Sequence, residues 1–336
     1  MSDSGPSSRK TRVYIENASG LGPLFHITPA MLDAAGARRP DVLSDCDIAY
    51  GADLQGFAAG VADVDAMLAW CFPHRDLARL APRLRWIQLP GAGVDHLLPL
   101  DWLPPRVSMT NARGAHRPKI GEWLLLGLLM LNNAIPTLMR HQRERTWQQI
   151  FSTGIAGKTV LILGVGQAGG AAAEQAKRFG LRVIGTRRSG AVHPAVDAMY
   201  PPAATEALLP QADFVIVSTP ATPETRPLLD ASRIALMRPG AGIVSLARHG
   251  VIDRPALIDA LRSGRLGGAV LDVEDPAVAP TEAELWSCPN LIVLPHCLSN
   301  DPDQFMANVL DIFLDNLQRF IQGEALRNLV QPDRNY

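Results

Sequence analysis

The stretch that most constrains this chain is Gly164-Val-Gly166-Gln-Ala-Gly169. It follows the apolar run Lys158 to Leu163 and opens the Ala-rich run Gly170 to Phe179, and a second apolar run, Leu181 to Gly185, comes after. Strand, glycine turn, helix and strand in that order form a dinucleotide-binding fingerprint in its proper setting. Gly164 permits the tight turn, Gly166 lets backbone N–H groups approach a diphosphate, and Gly169 lets the helix lie close on the strand. Gln167 and Ala168 supply the helix's first N–H groups. The fingerprint demands a parallel α/β domain around it.

At 336 residues the chain exceeds one ordinary core, and its 47% hydrophobic content is ample for two. A net charge of -1 gives no electrostatic case for nucleic acid or for an anionic membrane surface. The longest apolar stretch, Trp123 to Leu131, stops at Asn132 and is short of the ~20 residues a span needs, so it reads as a buried helix in a core or at a subunit interface. Residues 1–11 carry no apolar segment and read as a disordered tail, which places the protein in the cytoplasm. Cys46, Cys71, Cys288 and Cys297 have no zinc spacing and read as free thiols, and no metal site is expected.

Short apolar runs continue on both sides of the fingerprint. Before it stand Val13 to Ile15, Ala66 to Trp70 and Leu84 to Gln88, with Thr28-Pro29 as a helix start. After it stand Phe214 to Ser218, Gly242 to Ser245, Gly268 to Asp272 and Leu291 to Leu294. Phe305, Val309, Ile312, Phe313, Leu317 and Phe320 share one face of a last helix that ends at Gly323. The first α/β unit lacks a closing element, so this helix is expected to pack back on it.

Beyond the fingerprint the chain resembles the D-isomer-specific 2-hydroxyacid dehydrogenases over essentially its whole length. The motifs are Leu84 to Asp95, Asn111-Ala-Arg-Gly114 with Gly121-Glu-Trp123, Ser218 to Thr225, Ser245 to Asp253, Gly268 to Asp272 and Leu294-Pro-His296. The resemblance implies an α/β fold of two Rossmann-like doubly wound domains, the cofactor domain (114–296) inserted into a discontinuous substrate domain (12–113 with 297–336). It implies a homodimer joined through the helix that begins near Gly121. It also implies a substrate loop at Gly91, Ala92 and Gly93, and cofactor contacts from Thr219, Pro220 and Asp272.

Reducing a 2-keto acid requires a clamp for the carboxylate, a proton donor for the carbonyl oxygen and a nicotinamide carbon held close by. Arg248 fits the clamp, because a guanidinium presents a fixed fork. His296 fits the donor, because imidazole titrates near neutrality and Leu-Pro-His ends a strand. The resemblance assigns the same roles. The family's third catalytic residue is a glutamate that pairs with the histidine, and an ungapped reading puts Ala277 in its place. Glu274 or Asp275 would substitute if the loop is rearranged. His249 also stands where the family has glycine.

NAD-binding chains carry an acid after the second strand, whereas here that place reads Gly185-Thr-Arg-Arg-Ser189. Arg187 and Arg188, with Ser189 and Thr186 as hydrogen-bond donors, favour the 2′-phosphate of NADP(H), with NAD as the second choice. The expected substrate is a small 2-keto acid such as glyoxylate or hydroxypyruvate. Trp147, placed at the end of the dimerisation helix, either packs locally or reaches a partner's site as in glyoxylate and hydroxypyruvate reductases, and Phe305 and Met306 read as core. The competing reading is a regulator of the same fold that binds NAD(P)(H) without turnover.

Overall fold

The computed structural model describes residues 9–272 and 283–332. The chain divides into two compact units, Met1–Ala115 with Asp301–Tyr336, and His116–Asn300. The sequence reading set these boundaries at 113/114 and 296/297. The later crossing points have a local cause, since His116 and Ser299 are hydrogen-bonded to each other at 2.9 Å and stay in one unit.

The first unit holds five parallel strands, β1 (Thr11–Asn17), β2 (Cys46–Ala52), β3 (Ala66–Ala69), β4 (Trp86–Gln88) and β5 (Ser108–Thr110), in the order β2-β1-β3-β4-β5. The strand opens earlier than the expected tail allowed. Thr11 N donates to the Asp45 carbonyl at 2.9 Å and Arg12 N to Asp65 Oδ2 at 3.0 Å, which fixes residues 11 and 12 in the sheet. Residues 1–8 of that tail lie outside the described residues.

Side chains alternate across this sheet, and each face builds a core. Val13, Ile15, Ala66, Leu68 and Trp86 point to one face, and Tyr14, Met67, Ala69 and Ile87 to the other. The first face is closed by the last helix, Phe305–Gln322, which packs back as its apolar stripe requires. Trp86 stacks on Phe313 with centroids 5.4 Å apart, and the fully buried Asn316 donates to Gln88 Oε1 at 3.2 Å. Burying each such aromatic contributes about 1.5–3 kcal/mol. Phe305 and Met306 sit in this core. Gly323 ends the helix at φ +70°, a left-handed cap that glycine adopts without strain. At the other end of the unit, Thr28 caps helix Pro29–Gly36 by accepting from Met31 N at 3.3 Å.

The second unit holds seven parallel strands, β6 (Thr159–Leu163), β7 (Arg182–Thr186), β8 (Ala198–Tyr200), β9 (Phe214–Val217), β10 (Gly242–Ser245), β11 (Gly268–Asp272) and β12 (Leu291–Leu294). Their order, β12-β11-β10-β9-β6-β7-β8, reverses between β6 and β9. That is the doubly wound topology, whose ligands bind outside the carboxyl ends of the strands at the reversal. On one face the helix Arg117–Asn132 covers the sheet with Leu124 and Leu128, against Val160, Ile162 and Val244. Gly121 and Gly127 bring its backbone close, since a Cβ on Gly127 would lie 2.9 Å from Val244 and one on Gly121 3.2 Å from the Ala171 carbonyl. The apolar run Trp123 to Leu131, expected as a buried helix, is therefore partly core, with Leu126 left 46% exposed.

Candidate functional site

The fingerprint glycines take up the geometry that their spacing predicts. Gly164 ends β6 at φ +96°, and a Cβ there would meet Thr219 Cγ2 at 2.7 Å. Gly166 faces open space, so a ligand's backbone-bound oxygens have room to approach. A Cβ on Gly169 would stand 2.4 Å from the Gly164 carbonyl oxygen, which shows how tightly helix Gln167–Arg178 lies on β6. The first turn of that helix, Gln167, Ala168 and Gly169, carries N–H groups that the helix itself does not use, and its dipole favours an anion there.

Arg117, at the start of helix Arg117–Asn132, braces this turn. Its Nη1 donates to both the carbonyl and the side-chain oxygen of Gln167 at 3.2 Å, and its Nη2 reaches Glu174. Thr219, one of the residues expected at the cofactor, lies just beyond β9, and its Oγ1 is buried with no hydrogen-bond partner among the described residues. A buried hydroxyl in that state is costly unless a bound group completes it. This orphan hydroxyl, the glycine cradle and the open first turn together fit a dinucleotide. Pro220 follows, with its carbonyl held by Thr225 Oγ1 at 2.7 Å.

At the end of β7 the Thr186 carbonyl accepts from Gly164 N and Val165 N, and the residue is buried. It therefore belongs to the strand end rather than to the exposed turn that follows. That turn carries Arg187 half-buried and Arg188 and Ser189 exposed, closed by Gly190 N donating to the Arg187 carbonyl at 3.1 Å. A small anionic group at this edge of the sheet would meet two guanidiniums.

The catalytic candidates stand at the carboxyl ends of β10, β11 and β12, three neighbours in the sheet. Arg248 lies three residues past β10, half-buried, on the rim of a cavity of about 30 Å³ lined also by Ser245, Gly250, Arg254 and Asp272. His296 lies two residues past β12, exposed, with its backbone in the left-handed region at φ +49°. Asp272 ends β11, and its Oδ1 accepts from Cys297 N at 3.2 Å. Burial pushes the Asp272 carboxyl above the usual range, while the charge of His296 and the backbone N–H groups of Cys297, Leu298 and His296 act against that rise. Asp272, expected as a cofactor contact, thus also anchors the histidine's loop. Glu274, Asp275 and the vacant glutamate position at Ala277 lie outside the described residues.

Sequence reasoning missed His116 and Arg117, which carry no motif of their own. His116 donates from Nδ1 to the Ser299 carbonyl at 2.9 Å and feels the charges of His296 and Arg248. In the first unit, the loop Gly91-Ala-Gly93 follows β4, with the Gly91 carbonyl accepting from Ala112 N at 2.9 Å and the Ala92 carbonyl from Asn111 Nδ2 at 2.7 Å. Trp70, also unforeseen, lies where a Gly91 side chain would be, 2.3 Å from the Cβ position, and stacks on His96 at 4.0 Å. Trp147 is not at the end of the long helix. That helix stops at Asn132, a second runs Ile135–Arg143, and Trp147 stands beyond both with 96% of its surface exposed, so the described residues leave it almost uncovered.

Comparison with known proteins agrees with this geometry. The family model for the NAD binding domain of D-isomer specific 2-hydroxyacid dehydrogenases matches residues 125–297. A D-isomer specific 2-hydroxyacid dehydrogenase from Xanthobacter autotrophicus, solved with NADPH, is 30% identical over 98% of this chain and all of its own, with a TM-score of 0.81. An NADPH-dependent glyoxylate/hydroxypyruvate reductase from Sinorhizobium meliloti is 25% identical over 97% of this chain and all of its own, with a TM-score of 0.77. The D-3-phosphoglycerate dehydrogenase of Mycobacterium tuberculosis is 32% identical over 73% of this chain, which spans only 47% of that longer protein. Fold, fingerprint and match converge, and the chain belongs to the D-isomer specific 2-hydroxyacid dehydrogenase family.

Proposed function

We propose that this chain is a reductase that transfers hydride from NADPH to a small 2-keto acid, with glyoxylate and hydroxypyruvate as the first substrates to test. The observation that carries the reading is the placement of Arg248 and His296 at the carboxyl ends of β10 and β12, in the same sheet whose β6 and β7 ends hold the fingerprint and the arginine pair. The similarity to the Sinorhizobium meliloti reductase supports the choice of substrate. NADPH would be held by the first turn after Gly166, by Thr219 and by Arg187, Arg188 and Ser189; when bound, it supplies the hydride. Arg248 grips two adjacent oxygens of the keto acid and draws electron density from the carbonyl. His296, protonated, gives its proton to the carbonyl oxygen.

The chain is also proposed to work as a homodimer. Trp147 and Phe151, 96% and 89% exposed, and Leu126, 46% exposed on the long helix, are large apolar side chains that a second copy would cover. Light scattering should give the mass of two chains, and a monomer at micromolar concentration would refute this.

The cofactor preference is tested by dissociation constants. NADPH should bind more tightly than NADH. Removing one charge-assisted bond costs about 1.5–3 kcal/mol, so Arg187→Ala should weaken NADPH binding roughly tenfold or more and leave NADH nearly unchanged. Equal constants for the two cofactors in the unaltered protein would contradict the assignment.

The clamp is tested by Arg248→Lys, which keeps the charge and loses the fork. It should bind NADPH normally and lose kcat/KM for the keto acid by about a hundredfold or more. Near-normal turnover in this variant would remove Arg248 from the role. NADPH binding with no turnover of any 2-keto acid in the unaltered protein would instead favour the regulator of the same fold.

A further inference from the structure

His296 has a backbone conformation that a residue with a side chain rarely holds. At φ +49° it is strained, and it persists only where its surroundings over-determine it. Two restraints do so, one on each side of the loop. Asp272 takes Cys297 N at 3.2 Å and fixes the near end of the loop to β11. His116 fixes the far end, because its Nδ1 lies 2.9 Å from the Ser299 carbonyl. A carbonyl only accepts, so Nδ1 carries the proton and the tautomer is set.

The environment of His116 keeps that arrangement constant. Burial pushes its imidazole below the ordinary range, and although the Ser299 bond opposes this, the positive charges of His296 and Arg248 push the same way as burial. Burial and the two neighbouring charges thus act together against protonation of the His116 ring.

We infer that His116 is a positioning residue for the proton donor: its Nδ1–H bond to Ser299 and the Asp272 bond to Cys297 together hold the His296 loop in its left-handed conformation. The inference rests on His296 as the acid of the proposed reaction. It assigns a role to a residue that belongs to neither the fingerprint nor the arginine pair, so its loss should spare cofactor binding.

Three variants test it, with two readouts. Asparagine places an amide N–H near the position of imidazole Nδ1, so His116→Asn keeps the donor; His116→Phe keeps ring volume without it, and His116→Ala removes both. In the holoenzyme His116→Phe should lower kcat for the keto acid about tenfold, the scale of one lost hydrogen bond, with the NADPH dissociation constant within about twofold. His116→Asn should recover most of that loss. Independently of turnover, amide hydrogen exchange at Cys297 and Leu298 should quicken in the Phe and Ala variants and stay near the unaltered rate in the Asn variant. Equal losses of kcat in His116→Asn and His116→Phe, or unchanged exchange at 297–298 in His116→Ala, would overturn the inference. An unaltered protein with no keto-acid turnover would defeat the proposed reaction instead, and the exchange result would still decide whether His116 holds the loop.

Discussion

The approach of helix Gln167–Arg178 to β6 sets the geometry of the second unit. Gly169 lies so near the Gly164 carbonyl that even a methyl group would force the two apart. Because the helix starts there, its unpaired N–H groups open at the point where the strand order reverses. The remaining functional candidates follow the sheet outward from that point. Thr219 stands at the end of β9, Arg248 past β10, Asp272 at the end of β11 and His296 past β12, while Arg187 and Arg188 lie on the other side at β7. With strands about 4.8 Å apart, the carboxyl ends of one sheet carry the cofactor candidates and the catalytic candidates on the same support.

Electrostatics divide that edge into two regions. At β7 two arginines stand in a half-buried to exposed turn, where a phosphate brings its own charge. At β10 to β12 a buried carboxyl, Asp272, lies among cationic groups and backbone N–H donors. Its burial alone would favour the neutral acid, and the neighbouring charge of His296 favours the carboxylate. Backbone strain at His296 and this buried acid occur on adjacent strand ends, which is where a scaffold that must hold one side chain for chemistry stores its cost.

The fold was legible because its signals are local and periodic. The fingerprint, the apolar runs bounded by turns and the apolar stripe from Phe305 to Phe320 each dictate an element without reference to partners. That Arg248 and His296 would lie just past strand ends was legible because both follow apolar runs within ordered motifs. His116, Arg117 and Trp70 were not, since each acts through a contact distant in sequence: His116 on Ser299, Arg117 on Gln167, Trp70 across Gly91. No spacing rule encodes such contacts. Trp147 was misplaced for the opposite reason. The apolar period suggested one long helix, but the chain turns at Ala134, held at φ +49°, and begins a second helix at Ile135.

In the proposed reaction hydride reaches one face of a keto carbon while His296 protonates its oxygen. Hydroxypyruvate reduced with NADPH bearing deuterium at the transferable C4 position tests this in one measurement, by locating the label and the handedness of the product. The account predicts D-glycerate with one deuterium at C2 and stoichiometric NADP. L-Glycerate, or a product without the label, would contradict it.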